Sequence, residues 1–143
     1  MHVMYIVSLC LLVSWCVHAL SAAHPMSPWN HQALVSLQAD LKLHVLMETG
    51  LGDKLEKAAG GFMDKHEAER VRQERTNMER MDKLIKILLG KSNEDFATFL
   101  RMLRDTNNET WARQLEDRAE QFSQREAGMC VQRSGHSPCR DWC

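Results

Sequence analysis

Proline is scarce, with three in 143 residues and no Pro-rich stretch, so nothing in the chain reads as a stiff linker between domains. Basic side chains hold no excess over acidic ones, 18 against 19. Without a Lys/Arg-rich run there is little electrostatic basis for nucleic-acid binding. No segment alternates apolar and polar residues in the way a half-buried strand requires, and no internal repeat is present. Nor is there a nucleophile–base pairing, a phosphate-cradling glycine loop, or a Gln-Ala-Cys-x-Gly protease signature around any of the five cysteines. His66-Glu67-x-x-Arg70 falls short of a zinc-protease helix because Arg70 stands where the second ligand is needed. The expectation is a single domain with tails, no enzymatic activity and no cofactor.

Residues 1–27 contain no Asp, Glu, Lys or Arg, and Val3 to Val17 is an almost unbroken apolar run. Ala19, Ser21, Ala22 and Ala23 follow, small residues of the kind a signal peptidase accepts. Residues 1–23 therefore read as a secretory signal cleaved near Ala23, as a membrane anchor, or as an inaccurate start to the coding sequence. The positive n-region of a signal is missing, and the run is short for a bilayer span. Membrane contact is expected only if this segment is retained. Cys10 and Cys16 within it read as small hydrophobes.

From residue 28 to 120 the apolar residues recur at helical spacing, predicting a six-helix, all-α antiparallel bundle. Ser27-Pro28 reads as the N-cap and first residue of a long helix with Leu34, Leu37, Leu41 and Val45 inward, Val35 alongside, Lys42 and His44 outward, and Gly50 as its end. A short second helix runs from about Leu51 through Leu55, Ala58 and Ala59 to Gly60-Gly61. Asp64-x-x-Glu67 opens a third helix, with Ala68 and Val71 inward. Thr76-x-x-Glu79 opens a fourth with a stripe of Met78, Met81, Leu84, Ile85, Leu88 and Leu89, closed by Gly90. Ser92-x-x-Asp95 opens a fifth, lined by Phe96, Phe99, Leu100 and Leu103. After Asn107-Asn108, a sixth carries Trp111, Leu115 and Ala119 inward. Helices joined by so few residues pack as neighbours, because none buries its stripe alone.

This pattern resembles a caspase recruitment domain (CARD) of the death-fold superfamily. Leu84-Ile85 and Leu88-Leu89, the Gly90-Lys91-Ser92 turn, Asp95-Phe96, Phe99-Leu100 and Leu103-Arg104-Asp105-Thr106 carry the likeness. The resemblance implies an adaptor or regulator that binds other CARD-containing proteins, procaspases or signalling adaptors, through homotypic contacts in apoptotic or innate-immune signalling. It also implies a cytoplasmic location, against which the apolar N-terminus sets the alternative of a secreted helical ligand or host-defence factor. In the family, an acidic face on the second and third helices meets a basic face on the first and fourth. The acidic candidates here are Asp53, Glu56, Asp64 and Glu67, and the basic ones Lys42, Arg80, Lys83 and Lys86. Each of these charges also reads as an ordinary solvated helix residue; Glu79 precedes Lys83, and Asp82 precedes Lys86, by the four residues that pair on one helix. Arg80 has no such acid before it.

The polar tail, residues 121–143, is expected to be mobile or separately tied down. Its Cys130, His136, Cys139 and Cys143 are residue types that bind zinc, in an order that matches no strong finger signature. In a secreted chain one disulfide among the three tail cysteines leaves an odd thiol for cross-linking. Asn108-Glu109-Thr110 is a glycosylation sequon that matters only if the chain is secreted; otherwise Asn108 reads as a helix cap.

Overall fold

A computed structural model describes residues 25–133, with side chains through Gly128. The apolar leader-like segment, Cys10, Cys16 and the tail's Cys130, His136, Cys139 and Cys143 lie outside the described residues or side chains. Among the described residues five α-helices form: α1 Pro28–His44, α2 Lys65–Arg72, α3 Asn77–Leu89, α4 Asn93–Asp105 and α5 Glu109–Arg133. Among the described residues there is no sheet, and none of these helices is long and apolar enough to cross a membrane. α1 packs chiefly against α5 and α3, α4 against α5, and α2 against α3.

The three expected capping boxes all form. Asp64 and Glu67, Thr76 and Glu79, and Ser92 and Asp95 each exchange side-chain and backbone hydrogen bonds at the starts of α2, α3 and α4. Each box satisfies amides that the first turn of a helix leaves without partners. The core behind them is the expected one: Leu34, Leu37 and Leu41 of α1, Met81, Leu84, Ile85 and Leu88 of α3, Phe96, Phe99, Leu100 and Leu103 of α4, and Leu115 and Ala119 of α5 are buried.

The second helix expected over residues 51–60 is absent. In its place stand three single 3₁₀ turns, Met47–Thr49, Gly52–Lys54 and Lys57–Ala59. α1 also stops at His44 instead of running to Gly50. The cause is Asn77, whose side chain acts as a second backbone: its Oδ1 accepts from Met47 N and its Nδ2 donates to Val45 O, both at 2.8 Å. These bonds hold Val45 and Leu46 extended and divert Met47 into the core, where it is buried. Beyond it the chain doubles back between Leu55 and Met63. Met63 N donates to Leu55 O, and Lys57 N to Met63 O. Gly61 is required at that closure, since a Cβ there would lie 2.2 Å from the carbonyl oxygens of both Leu55 and Lys54. Phe62, delivered inward by the loop, meets Phe99 edge-on at 6.2 Å.

One expected inward residue, Met78, faces water, as does Val35, which was placed alongside the inward stripe of the first helix. Met78, in the first turn of α3, is 49% exposed, and Val35 on the outer side of α1 is equally so. Trp111 is half-buried and stacks on His44, with ring centroids 5.5 Å apart. The expected boundary at residue 120 falls inside α5, which runs unbroken to Arg133.

Candidate docking surfaces

Three of the four basic candidates come together in one groove between α1 and α3. Lys42, Lys83 and Lys86 line it with Met78, and three carboxylates, Glu74, Glu79 and Asp82, line it too. Asp82 is the hub. Its Oδ1 pairs with the Lys42 ammonium and its Oδ2 with Lys86 Nζ at 2.6 Å, while Gln38 Nε2 donates to Oδ1 at 3.2 Å. The ammonium of Lys42, followed by that of Lys86, holds the Asp82 carboxyl down at about 2. One carboxylate thus serves two lysines, while across the whole groove three lysines face three carboxylates. Lys86 is the most exposed of the three lysines, with 65% of its side chain accessible.

The helix pairing read from the sequence holds for Asp82 and Lys86 but not for Glu79 and Lys83. Glu79 turns back to cap α3, its carboxyl held below the ordinary range by bonds from the Thr76 amide and then the Thr76 hydroxyl. Lys83 faces Glu74 at 3.9 Å instead.

Arg80, the fourth basic candidate, does not join the lysines. It lines a separate cleft with Glu48, Asp53 and Arg72, below the 3₁₀ turns, and its Nε donates to the Glu74 carbonyl at 2.9 Å. The acidic candidates likewise divide. Glu56 pairs with Arg72 at 2.9 Å. Asp64 and Glu67 are engaged in the α2 capping box, and Glu67 Oε2 also accepts from Lys91 Nζ at 2.7 Å, tying α2 to the turn before α4. The Asp64 carboxyl is lowered, first of all by the Glu67 amide. Asp53 is exposed and makes no ion pair among the described residues. Glu48 beside it was missed by the sequence reading, because an unbroken first helix puts it in the wrong place; the Asn77 side chain that corrects this left no pattern in the sequence.

The two surfaces therefore differ in the groups they present: a groove where Lys42, Lys83 and Lys86 face Glu74, Glu79 and Asp82 and Lys86 is the most exposed of its lysines, and a cleft where the carboxylates of Asp53 and Glu48 face Arg72 and Arg80. Asn108, the sequon residue, is half-buried just ahead of α5, and its Nδ2 donates to Thr106 O at 2.9 Å and to Thr106 Oγ1 at 3.2 Å. Its carbonyl, rather than its side chain, accepts the first amides of α5.

Compared with known proteins, the chain has no match among individual curated proteins. The family model described as caspase recruitment domain does match, over residues 35–118, from the middle of α1 to the middle of α5 and more than half of the chain. With its helical bundle and unlike charged surfaces, the chain belongs to the caspase recruitment domain (CARD) family.

Proposed function

We propose that this chain is an adaptor or regulator in apoptotic or innate-immune signalling, working in the cytoplasm by docking on procaspases or CARD-containing adaptors and on further copies of itself. Its general role follows from the family: CARD domains are interaction modules rather than catalytic ones, and they bind other CARD-containing proteins. The observation that carries the finer reading is the separation of the Lys42, Lys83 and Lys86 groove from the Asp53 and Glu48 cleft. When the two halves of a contact lie on different sides of one molecule, docking is head-to-tail and need not close, so many weak contacts add up along an assembly.

The test is self-association of the full chain followed by light scattering. Reversing the groove with Lys83→Glu and Lys86→Glu is expected to abolish assembly while helical content is kept and the melting temperature falls by several degrees as Lys86 gives up its pair with Asp82, assembly being compared well below that midpoint. Assembly equal to that of the parent would remove this groove from the interface.

The second reading, a secreted helical ligand or host-defence factor, is favoured by the apolar run Val3 to Val17 and the sequon at Asn108. Against it, a sugar on Asn108 Nδ2 has to displace the bonds to Thr106. The mass of the mature amino terminus separates the readings: a chain starting at Met1 or His2 supports the cytoplasmic adaptor, and one starting near His24 the secreted factor.

A further inference from the structure

α1 is apolar on two sides. Inward, Ala33, Leu34, Leu37 and Leu41 are buried. Outward, Val35, Ala39 and Leu43 form a row at four-residue spacing, and Leu46 follows just past the helix end. Val35 is 49%, Leu43 59% and Leu46 51% exposed, and Ala39 is exposed as well. Besides Trp29 and Met78, these three are the only exposed large apolar side chains among the described residues. The core already accounts for the inner stripe, so the outer row marks a side with a cover of its own.

The charges beside the row indicate what that cover is. Apart from its histidines, α1 carries one acid, Asp40, and one base, Lys42. At about 100° per residue, Asp40 projects about 100° to one side of Ala39 and Lys42 about 60° to the other. Lys42 is anchored by Asp82, whereas Asp40 is exposed and makes no ion pair among the described residues. A helix that lies on a membrane surface carries Lys and Arg on its polar flanks. A strongly acidic or basic partner likewise calls for flanks of one sign. A row bordered by one charge of each sign is instead complementary to itself. When two copies meet face to face with their α1 helices running in the same sense, the two-fold axis sets the Lys42 side of each against the Asp40 side of the other. The two positions then differ by only two residues, about 3 Å along the helix axis.

We propose that the outer side of α1 is an isologous dimer surface, on which Val35, Ala39, Leu43 and Leu46 of one copy pack against the same residues of a second. Rows at four-residue spacing interdigitate with the helices crossing at about 50°, and small Ala39 in the middle of the row admits the close approach at the crossing. Asp40 of each copy then stands beside Lys42 of the other. With three half-exposed large side chains per copy, the contact lies at the low end of specific interfaces, below about 1,200 Å² in total, so it is transient between isolated chains. It is distinct from the charged groove and cleft and holds whether or not those faces dock.

Cysteine trapping in the full chain tests this. Ala39→Cys is introduced with Cys10, Cys16, Cys130, Cys139 and Cys143 changed to Ser, the chain is oxidised with copper phenanthroline, and covalent dimer is followed by mass spectrometry. Expected is a dimer joined through the new cysteine, forming about tenfold or more faster than with Gln114→Cys, an exposed position on α5. Adding Leu43→Glu should bring trapping down to the control rate, and adding Asp40→Lys should slow it several-fold. Both positions are exposed, so circular dichroism should stay unchanged. Trapping no faster than the control, or trapping that either substitution leaves unaltered, overturns the proposal. A new cysteine equally slow towards the oxidant and towards a maleimide would show the row covered by another part of its own chain, and overturns it too.

Discussion

Replacing Asp82 by Asn keeps the shape of the side chain and an acceptor but removes the charge that holds Lys42 and Lys86. The folded state lowers this carboxyl from 3.8 to about 2, because two ammonium groups favour its ionised form. At about 1.36 kcal/mol per pH unit, the full difference is worth roughly 2–2.5 kcal/mol. A quarter of the side chain is accessible to water. Solvent screening of such a site lowers the expected figure to about 1–2 kcal/mol. The sign is fixed by the direction of the shift. A depressed carboxyl contributes all of its stability above the unfolded-state value and loses it as pH falls through the folded one, so the contribution is whole at pH 7, about half at pH 3 and nearly gone at pH 2. Urea titrations followed by circular dichroism at pH 7 and pH 3 read this directly. Asp82→Asn should lower stability by about 1–2 kcal/mol at pH 7 and by about half of that at pH 3. Equal losses at the two pH values, or none at pH 7, would refute the assignment of Asp82 as the ionic hub of the groove.

Three further outcomes follow from the packing. Leu88→Ala, at a fully buried position, should cost roughly 2–5 kcal/mol and weaken docking only in proportion to unfolding, as seen by comparing binding at temperatures well below each melting point. Asn77→Ala strands the Val45 carbonyl and the Met47 amide and should cost about 2–4 kcal/mol, with faster amide exchange at Met47; an unchanged exchange rate would show that the break in α1 is held by something else. Gly61→Ala places a Cβ 2.2 Å from two backbone oxygens and should cost about 3 kcal/mol or more, in contrast to Gly128→Ala on α5, where a Cβ meets nothing.

Where local signals agree with packing, the sequence was readable. The three boxes at Asp64, Thr76 and Ser92 each announce a helix start through residues three apart, and the stripes behind them, Met81 to Leu88 and Phe96 to Leu103, are the buried ones. What escaped the reading depended on contacts between distant residues. Residues 45–49 carry no helix breaker, yet α1 ends at His44 because Asn77, more than thirty positions on, supplies the competing hydrogen bonds. That break turns the supposed second helix into 3₁₀ turns and brings Glu48 to the cleft. Charge partners were legible only in part for the same reason. Helical spacing finds Asp82 and Lys86, but Lys42 on α1 and Glu74 beyond the end of α2 meet α3 only through tertiary packing. Arg80, grouped with the lysines by the family resemblance, instead lines the cleft with Glu48, Asp53 and Arg72.

The central claim is that two unlike faces of one domain dock on each other, and mixing two singly reversed full chains tests it most directly. One carries Lys83→Glu with Lys86→Glu, the other Asp53→Lys with Glu48→Lys, and light scattering follows each alone and the pair together. Each should fail to assemble alone, and the mixture should form a limited complex through the one pair of faces left intact. Assembly by either reversed chain on its own, to the extent of the parent, would contradict it.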